Sequence, residues 1–166
     1  FFAQALSKQY KGVREDGRTG EPDIVIEELN KELECKLTSR HKSGSINFQS
    51  DFETLQKKGS LDYLYVIADP EFKKFSVLLF EGLTTEDFRP LSTGARGKVA
   101  MFKHKGMKKC RQLLGTSASL NDINISKCKK KLANAKITPS QKKKAEKSLK
   151  YWQNTPTKYQ FALEAI

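Results

Sequence analysis

Four stretches of this chain carry the residue pattern of strands, and a helical stretch separates the first pair from the second. Asp23 to Leu29 and Glu32 to Thr38 read as two strands joined at Asn30-Lys31, a hairpin. Leu61 to Ala68 and Lys74 to Phe80 read as two more around the Asp69-Pro70 turn. Between the pairs, Phe48, Phe52 and Leu55 follow helical spacing and Gly59 is a natural stop, which predicts a helix over 48–58. Phe2, Leu6 and Tyr10 stand at four-residue steps ahead of Gly12, so a short helix opens the chain, and the polar stretch 12–22 reads as a loop. Any fold must accommodate the order helix, strand, strand, helix, strand, strand.

The second half has a different character. Residues 1–96 carry 14 Lys/Arg against 16 Asp/Glu, whereas residues 97–166 carry 17 against 3. A basic half of this size attracts polyanions, of which nucleic acid is the commonest. A membrane surface fits less well, because no segment pairs its lysines with a broad apolar stripe. No apolar run approaches the roughly 18 residues of a membrane-spanning helix. Met107, Cys110 and Leu114 form a stripe at helical spacing that stops at Gly115. Thr138-Pro139-Ser140-Gln141 is a capping box for a helix running to about Gln153, with Ala145, Leu149 and Trp152 on its buried side. At 166 residues the expectation is one domain with a core over 1–90 and a basic, mainly helical extension over 91–166. Cys35, Cys110 and Cys128 are odd in number and dispersed, which suits a reducing cytoplasm and suggests neither a disulfide framework nor a zinc site.

Chemistry concentrates in residues 21–39. In extended chain Glu34 and Lys36 share one face, opposite Leu33, Cys35 and Leu37, and Asp23 shares a face with Val25 and Glu27. If the hairpin pairs, Asp23 can stand near Glu34. Two carboxylates without a histidine make a hard-oxygen site suited to Mg2+, and a lysine beside them adds a cation for water or phosphate. Phosphodiester hydrolysis needs those parts, and a basic flank would carry the substrate.

Pro22-Asp23, ten residues, then Glu34-Cys35-Lys36 resembles the PD-(D/E)XK signature of the restriction-endonuclease-like nucleases, and the order of elements around it resembles their core over residues 1–81. The resemblance implies an α/β fold with a central mixed β-sheet flanked by helices. It implies Asp23 and Glu34 as ligands of Mg2+ (with Mn2+ expected to substitute), the Cys35 carbonyl as a further ligand, and Lys36 as the group that assists the attacking water. A glutamine from the following helix joins the site in some members, and Gln49 is similarly placed. An acidic residue from the first helix joins in others; none stands there, so that role is vacant or falls to Glu15 or Glu21.

The activity implied is Mg2+-dependent endonucleolytic cleavage of double-stranded DNA to 5'-phosphate and 3'-hydroxyl ends, most simply by a type II restriction enzyme acting as a homodimer. A repair, junction-resolving or transposon-type nuclease is the rival within the fold, and a non-catalytic nucleic-acid-binding module the rival outside it. Arg96 and Lys98, on a small-residue loop, and Lys103, Lys105, Lys108 and Lys109 are the expected DNA contacts, with the lysines of 127–150 adding backbone contacts. A second match to the pattern, Asp62 with Glu71-Phe72-Lys73, is set aside because Pro70 and a turn interrupt it. The glycines of 94–97 do not make a phosphate-binding loop either: their spacing is short and no Ser or Thr follows Lys98.

Overall fold

The computed structural model describes residues 2–15, 21–39, 46–90 and 97–165. Helix α1 (Phe2–Gln9) leads through Gly12, in the left-handed region at φ +81°, into strand β1 (Val13–Glu15). Where the sequence reads as a loop, β1 adds an edge to the sheet; three residues, two of them exposed, are too few to show alternation. β2 (Ile24–Ile26) ends in a 3-10 turn over Glu27–Leu29, and Asn30, left-handed at φ 47°, swings the chain into β3 (Lys31–Thr38). Asn tolerates that conformation better than most residues, so the hairpin expected at Asn30-Lys31 forms.

After a crossover connection, β3 pairs in parallel with β5 (Leu61–Ala68), and β5 pairs antiparallel with β6 (Lys74–Leu83). Parallel neighbours require such a crossover. The helix in it is shorter than its spacing suggests: α2 runs Phe52–Lys58, while Gln49–Asp51 forms strand β4. The reason is local. Phe48 is fully buried against the rings of Tyr65 and Phe80 at 4.7 and 5.2 Å, so it belongs to the core ahead of the helix. Asp51 caps α2 by accepting from the Thr54 amide at 3.5 Å. Gly59, at φ +76°, ends it as expected.

The chain is therefore α/β, with a mixed central sheet in the order β1-β2-β3-β5-β6 flanked by helices. A small second sheet lies over one face, where β4 and β7 (Phe88–Pro90) flank β8 (Lys98–Met101). The main core fills the space between: Tyr63, Tyr65, Ile67, Leu78 and Phe80 below, and Phe48, Leu55, Phe88, Val99 and Met101 above. By register, Glu34 stands beside Tyr63 and Lys36 beside Tyr65, so the polar face of β3 is the rim of this core. The opposite face, expected to be the buried one, covers Ile24 and Leu64 but leaves Leu37 61% exposed.

From residue 98 onward the chain supplies strands as well as helices. After the short α3 (Lys103–Gly106) and a 3-10 turn over Met107–Lys109, the predicted helical stripe is instead strand β9 (Cys110–Leu114), paired with β6. Its inward residues are Cys110, Gln112 and Leu114. The polar one in the middle hides the alternation, because Gln112 enters the sheet by donating to Ser76 Oγ at 2.8 Å and the Leu114 carbonyl at 2.6 Å. β10 (Thr116–Ser119) and β11 (Tyr159–Ala162) form an antiparallel ribbon that carries two helices, α4 (Leu120–Leu132) and α5 (Pro139–Asn154). The capping box at Thr138 and Gln141 forms, and Ala145 is buried.

β12 (Glu164–Ala165) then returns to β6. Leu114 pairs with Val77 and Glu164 with Phe75, along the same side of β6 and in the same direction. β9 and β12 are thus one edge strand, interrupted by residues 115–163. Gly115 sits at the break with φ +75°, and a Cβ there would lie 2.4 Å from the Ala162 carbonyl oxygen. Among the described residues no helix is long and apolar enough to cross a membrane.

Candidate active site

The last antiparallel pair of the hairpin is Ile24 with Leu33, and one further step of that register sets Asp23 opposite Glu34. Directly opposite residues share a face. Asp23 Oδ2 accepts from the Cys35 amide at 2.8 Å, occupying the ladder position where β2 has not yet begun. In an extended strand the N–H and C=O of one residue point to the same side, so the Cys35 carbonyl faces Asp23 as well. Glu34, with only 16% of its side chain exposed, accepts from Lys36 Nζ on its own face. The structure therefore brings together Asp23, Glu34, the Cys35 backbone and Lys36 at one end of β2, on the rim of the core.

Burial governs the neighbours. It pushes the Cys35 thiol up to about 12, and the Asp23 and Glu34 carboxylates push it the same way. The sulfur is therefore neutral near pH 7, which leaves the backbone oxygen as the atom of Cys35 suited to a hard cation. Burial likewise raises the Tyr63 phenol to about 12 against the lowering effect of Ser50, with Glu34 and then Asp51 adding to the rise. Tyr65 is raised too, again by burial first, and its hydroxyl donates to the Gln49 carbonyl at 2.6 Å. Tyr63 and Tyr65 were not singled out from the sequence because alternating aromatics on a strand read as core; their hydroxyls are polar posts tying the small sheet to the rim.

Among the described residues no group of three or more His, Cys, Asp or Glu stands together as a metal site. What stands at the rim is a pair of carboxylates. Asp23 and Glu34 each commit one oxygen, to the Cys35 amide and to Lys36 respectively, leaving the second oxygen of each and a carbonyl as donors. Such a sparse, all-oxygen set suits Mg2+, which keeps several waters.

The other sequence expectations divide. Gln49 is on β4 rather than on a helix. The Ser50 hydroxyl meets the Tyr63 hydroxyl, and because neighbours on a strand alternate, the exposed Gln49 side chain takes the other face of the small sheet. Its contribution at the rim is its carbonyl. Glu21 does not join the carboxylates: it is paired with Lys58 at 2.8 Å and Lys57 at 3.1 Å, and Lys58 before Lys57 lowers its carboxyl. Lys58 also reaches Glu32 at 3.0 Å, clamping α2 over β3. Glu15 is exposed on β1, and Glu27, in the 3-10 turn, pairs with Arg14 at 3.7 Å. Asp62 and Glu71 of the second pattern are parted, Asp62 near the start of β5 and Glu71 in the turn beyond its end.

Of the expected DNA contacts, Arg96 lies outside the described residues. Lys98 pairs with Asp51 at 3.5 Å. Lys105 donates to the Glu86 carbonyl at 2.8 Å and lies 5.2 Å from the Phe102 ring centre. Lys108 is exposed. Lys109 donates to buried Asp87 at 2.7 Å and to the Gly82 carbonyl at 3.0 Å. Lys103 is half-buried among other cations. Compared with known proteins, the chain matches no described family, and no curated protein is detectably similar to it.

Proposed function

We propose that this chain is a divalent-cation-dependent nuclease of the restriction-endonuclease-like kind, cutting double-stranded DNA. The observation that carries the reading is the placement of Asp23, just ahead of β2 and bonded to the Cys35 amide, beside the Glu34–Lys36 pair of β3. Asp23, Glu34 and the Cys35 carbonyl would hold Mg2+. When bound, that ion supplies charge to offset the developing phosphorane and lowers the pKa of water. Glu34 would offer the ion the oxygen that Lys36 leaves free. Lys36 directs its ammonium to the attacking water and steadies the hydroxide that forms. The Tyr63 and Tyr65 rings keep the inner side of the rim dry, and the basic second half supports the duplex through its backbone phosphates. Cutting both strands takes two such sites, hence a homodimer on the substrate.

A plasmid-nicking assay tests this. Mg2+-dependent conversion of supercoiled to nicked and linear DNA is expected, abolished in Asp23→Ala and Lys36→Ala with duplex binding retained. Normal cutting by both variants would remove these residues from the chemistry. A non-catalytic nucleic-acid-binding module is the second reading, favoured by the closure of Glu34 onto Lys36; it predicts no cutting under any divalent ion.

A further inference from the structure

Several lysines on the body of the fold face a carboxylate: Lys31 faces Asp62 and Glu81, Lys57 and Lys58 face Glu21, Lys98 faces Asp51 and Lys109 faces Asp87. Three other cations converge on one cleft instead. Arg89 from β7, Lys103 from α3 and Lys158 from the segment leading into β11 line a single cleft of about 490 Å³, walled by Met101, Phe102 and Pro156. Among the described residues none of the three is ion-paired. Lys103 is half-buried there, and its ammonium is driven below its ordinary pKa by that burial first, then by Arg89 and Lys158.

Such a cluster costs the free protein both desolvation and like-charge repulsion. A phosphate would reverse both terms, since each cation then gains a charge-assisted hydrogen bond to the same anion. The cleft also lies on the same side of the central sheet as Glu34. β4 is tied to the rim through Tyr63 and Tyr65, and across β8 the register sets Gln49 and Arg89 on either side of Ala100.

We propose that Arg89, Lys103 and Lys158 form a phosphodiester site that holds one backbone phosphate of the nucleic acid presented to Asp23 and Glu34. The strand that supplies the phosphate rests on the nuclease reading; the cleft's preference for a phosphate rests on its own three cations. Arg89 and Lys158 are exposed at its mouth, so their replacement leaves the fold intact.

The test is fluorescence anisotropy of a short labelled DNA duplex, in Ca2+ and over a range of salt, with Arg89→Gln, Lys158→Gln, the double variant and Lys103→Met. Each single variant should weaken binding several-fold. The double variant should flatten the log–log salt dependence by about 0.9, the value for one phosphate, and not by the sum for two. Lys103→Met should weaken binding and raise the melting temperature together, a combination that a merely structural lysine would not give. Unchanged affinity and salt slope in the double variant would overturn the assignment. So would inorganic phosphate binding at the cleft, followed by NMR of the Arg89 guanidinium, while duplex affinity stays unmoved in the variants: the site would then serve a small anion. If the variants lose duplex affinity but the unmodified chain never cuts with Mg2+, the phosphate site stands and the nuclease reading falls. If cutting depends on Asp23 while the double variant binds normally, the reverse holds.

Discussion

Two ionic arrangements decide how single residues behave. Lys36 holds the Glu34 carboxylate, so on the nuclease reading a divalent cation would compete with it there. Lys36→Ala should therefore bind Ca2+ or Mg2+ at least as tightly as the unmodified chain, by calorimetry, while losing cutting. Weaker cation binding in that variant would mean that Lys36 organises Glu34 instead of competing for it. Asp87 is the second case. Burial pushes its carboxyl up, but Lys109, the Thr84 amide and the Thr84 hydroxyl outweigh burial and hold it below the ordinary aspartate value of 3.8. The unfolded chain takes up that proton more readily, so the stabilisation is fully present above the ordinary value and is lost as pH falls through the lower folded value. Asp87→Ala should cost about 2–3 kcal/mol at neutral pH, because it strands the Thr84 amide and part of the Lys109 charge. The gap from the unmodified chain in urea melts should shrink in acid.

At the scale of elements, what could be read from sequence was what repeats locally. Strands β5 and β6, the hairpin at Asn30, and the capping box of α5 follow from alternation and cap chemistry, and that is why Asp23 and Glu34 could be expected to meet. Positions where a polar residue takes an inward place were opaque. Gln112 disguised β9 as part of a helical stripe. Asn121 fastens the helical arm: its Nδ2 donates to the Trp152 and Thr155 carbonyls at 3.0 and 2.9 Å, and its Oδ1 accepts from the Lys158 amide at 3.0 Å. Nothing next to Asn121 in the chain announces partners more than thirty residues away. The Arg89, Lys103 and Lys158 cleft was hidden for the same reason, being assembled from three distant segments. Asn121→Ala leaves three backbone groups unpaired and should cost the arm about 1–3 kcal/mol. Hydrogen exchange should then quicken at the end of α5 and stay unchanged in β5 and β6.

For the whole molecule, the charge imbalance between the halves acquires a location. Residues 120–154, the arm, hold ten lysines against Asp122 and Glu146. Only Asn121, Cys128 and Ala145 of the arm are buried, so it contributes little to the core. Replacing 118–160 by a two-residue Asn-Gly turn would close β10 and β11 into a plain hairpin that keeps Phe161 against Phe48. The shortened protein should melt within a few degrees of the full chain and lose most of its salt-sensitive affinity for duplex. A collapse of the melting temperature would show that the arm holds up the body.

Because Leu114 and Glu164 sit almost end to end along β6, the arm between them is spliced into a single edge strand. The arm is in that sense a cassette: lengthened, exchanged or dropped, it leaves the pairing of β2 with β3, and with it the place of Asp23 and Glu34, in register.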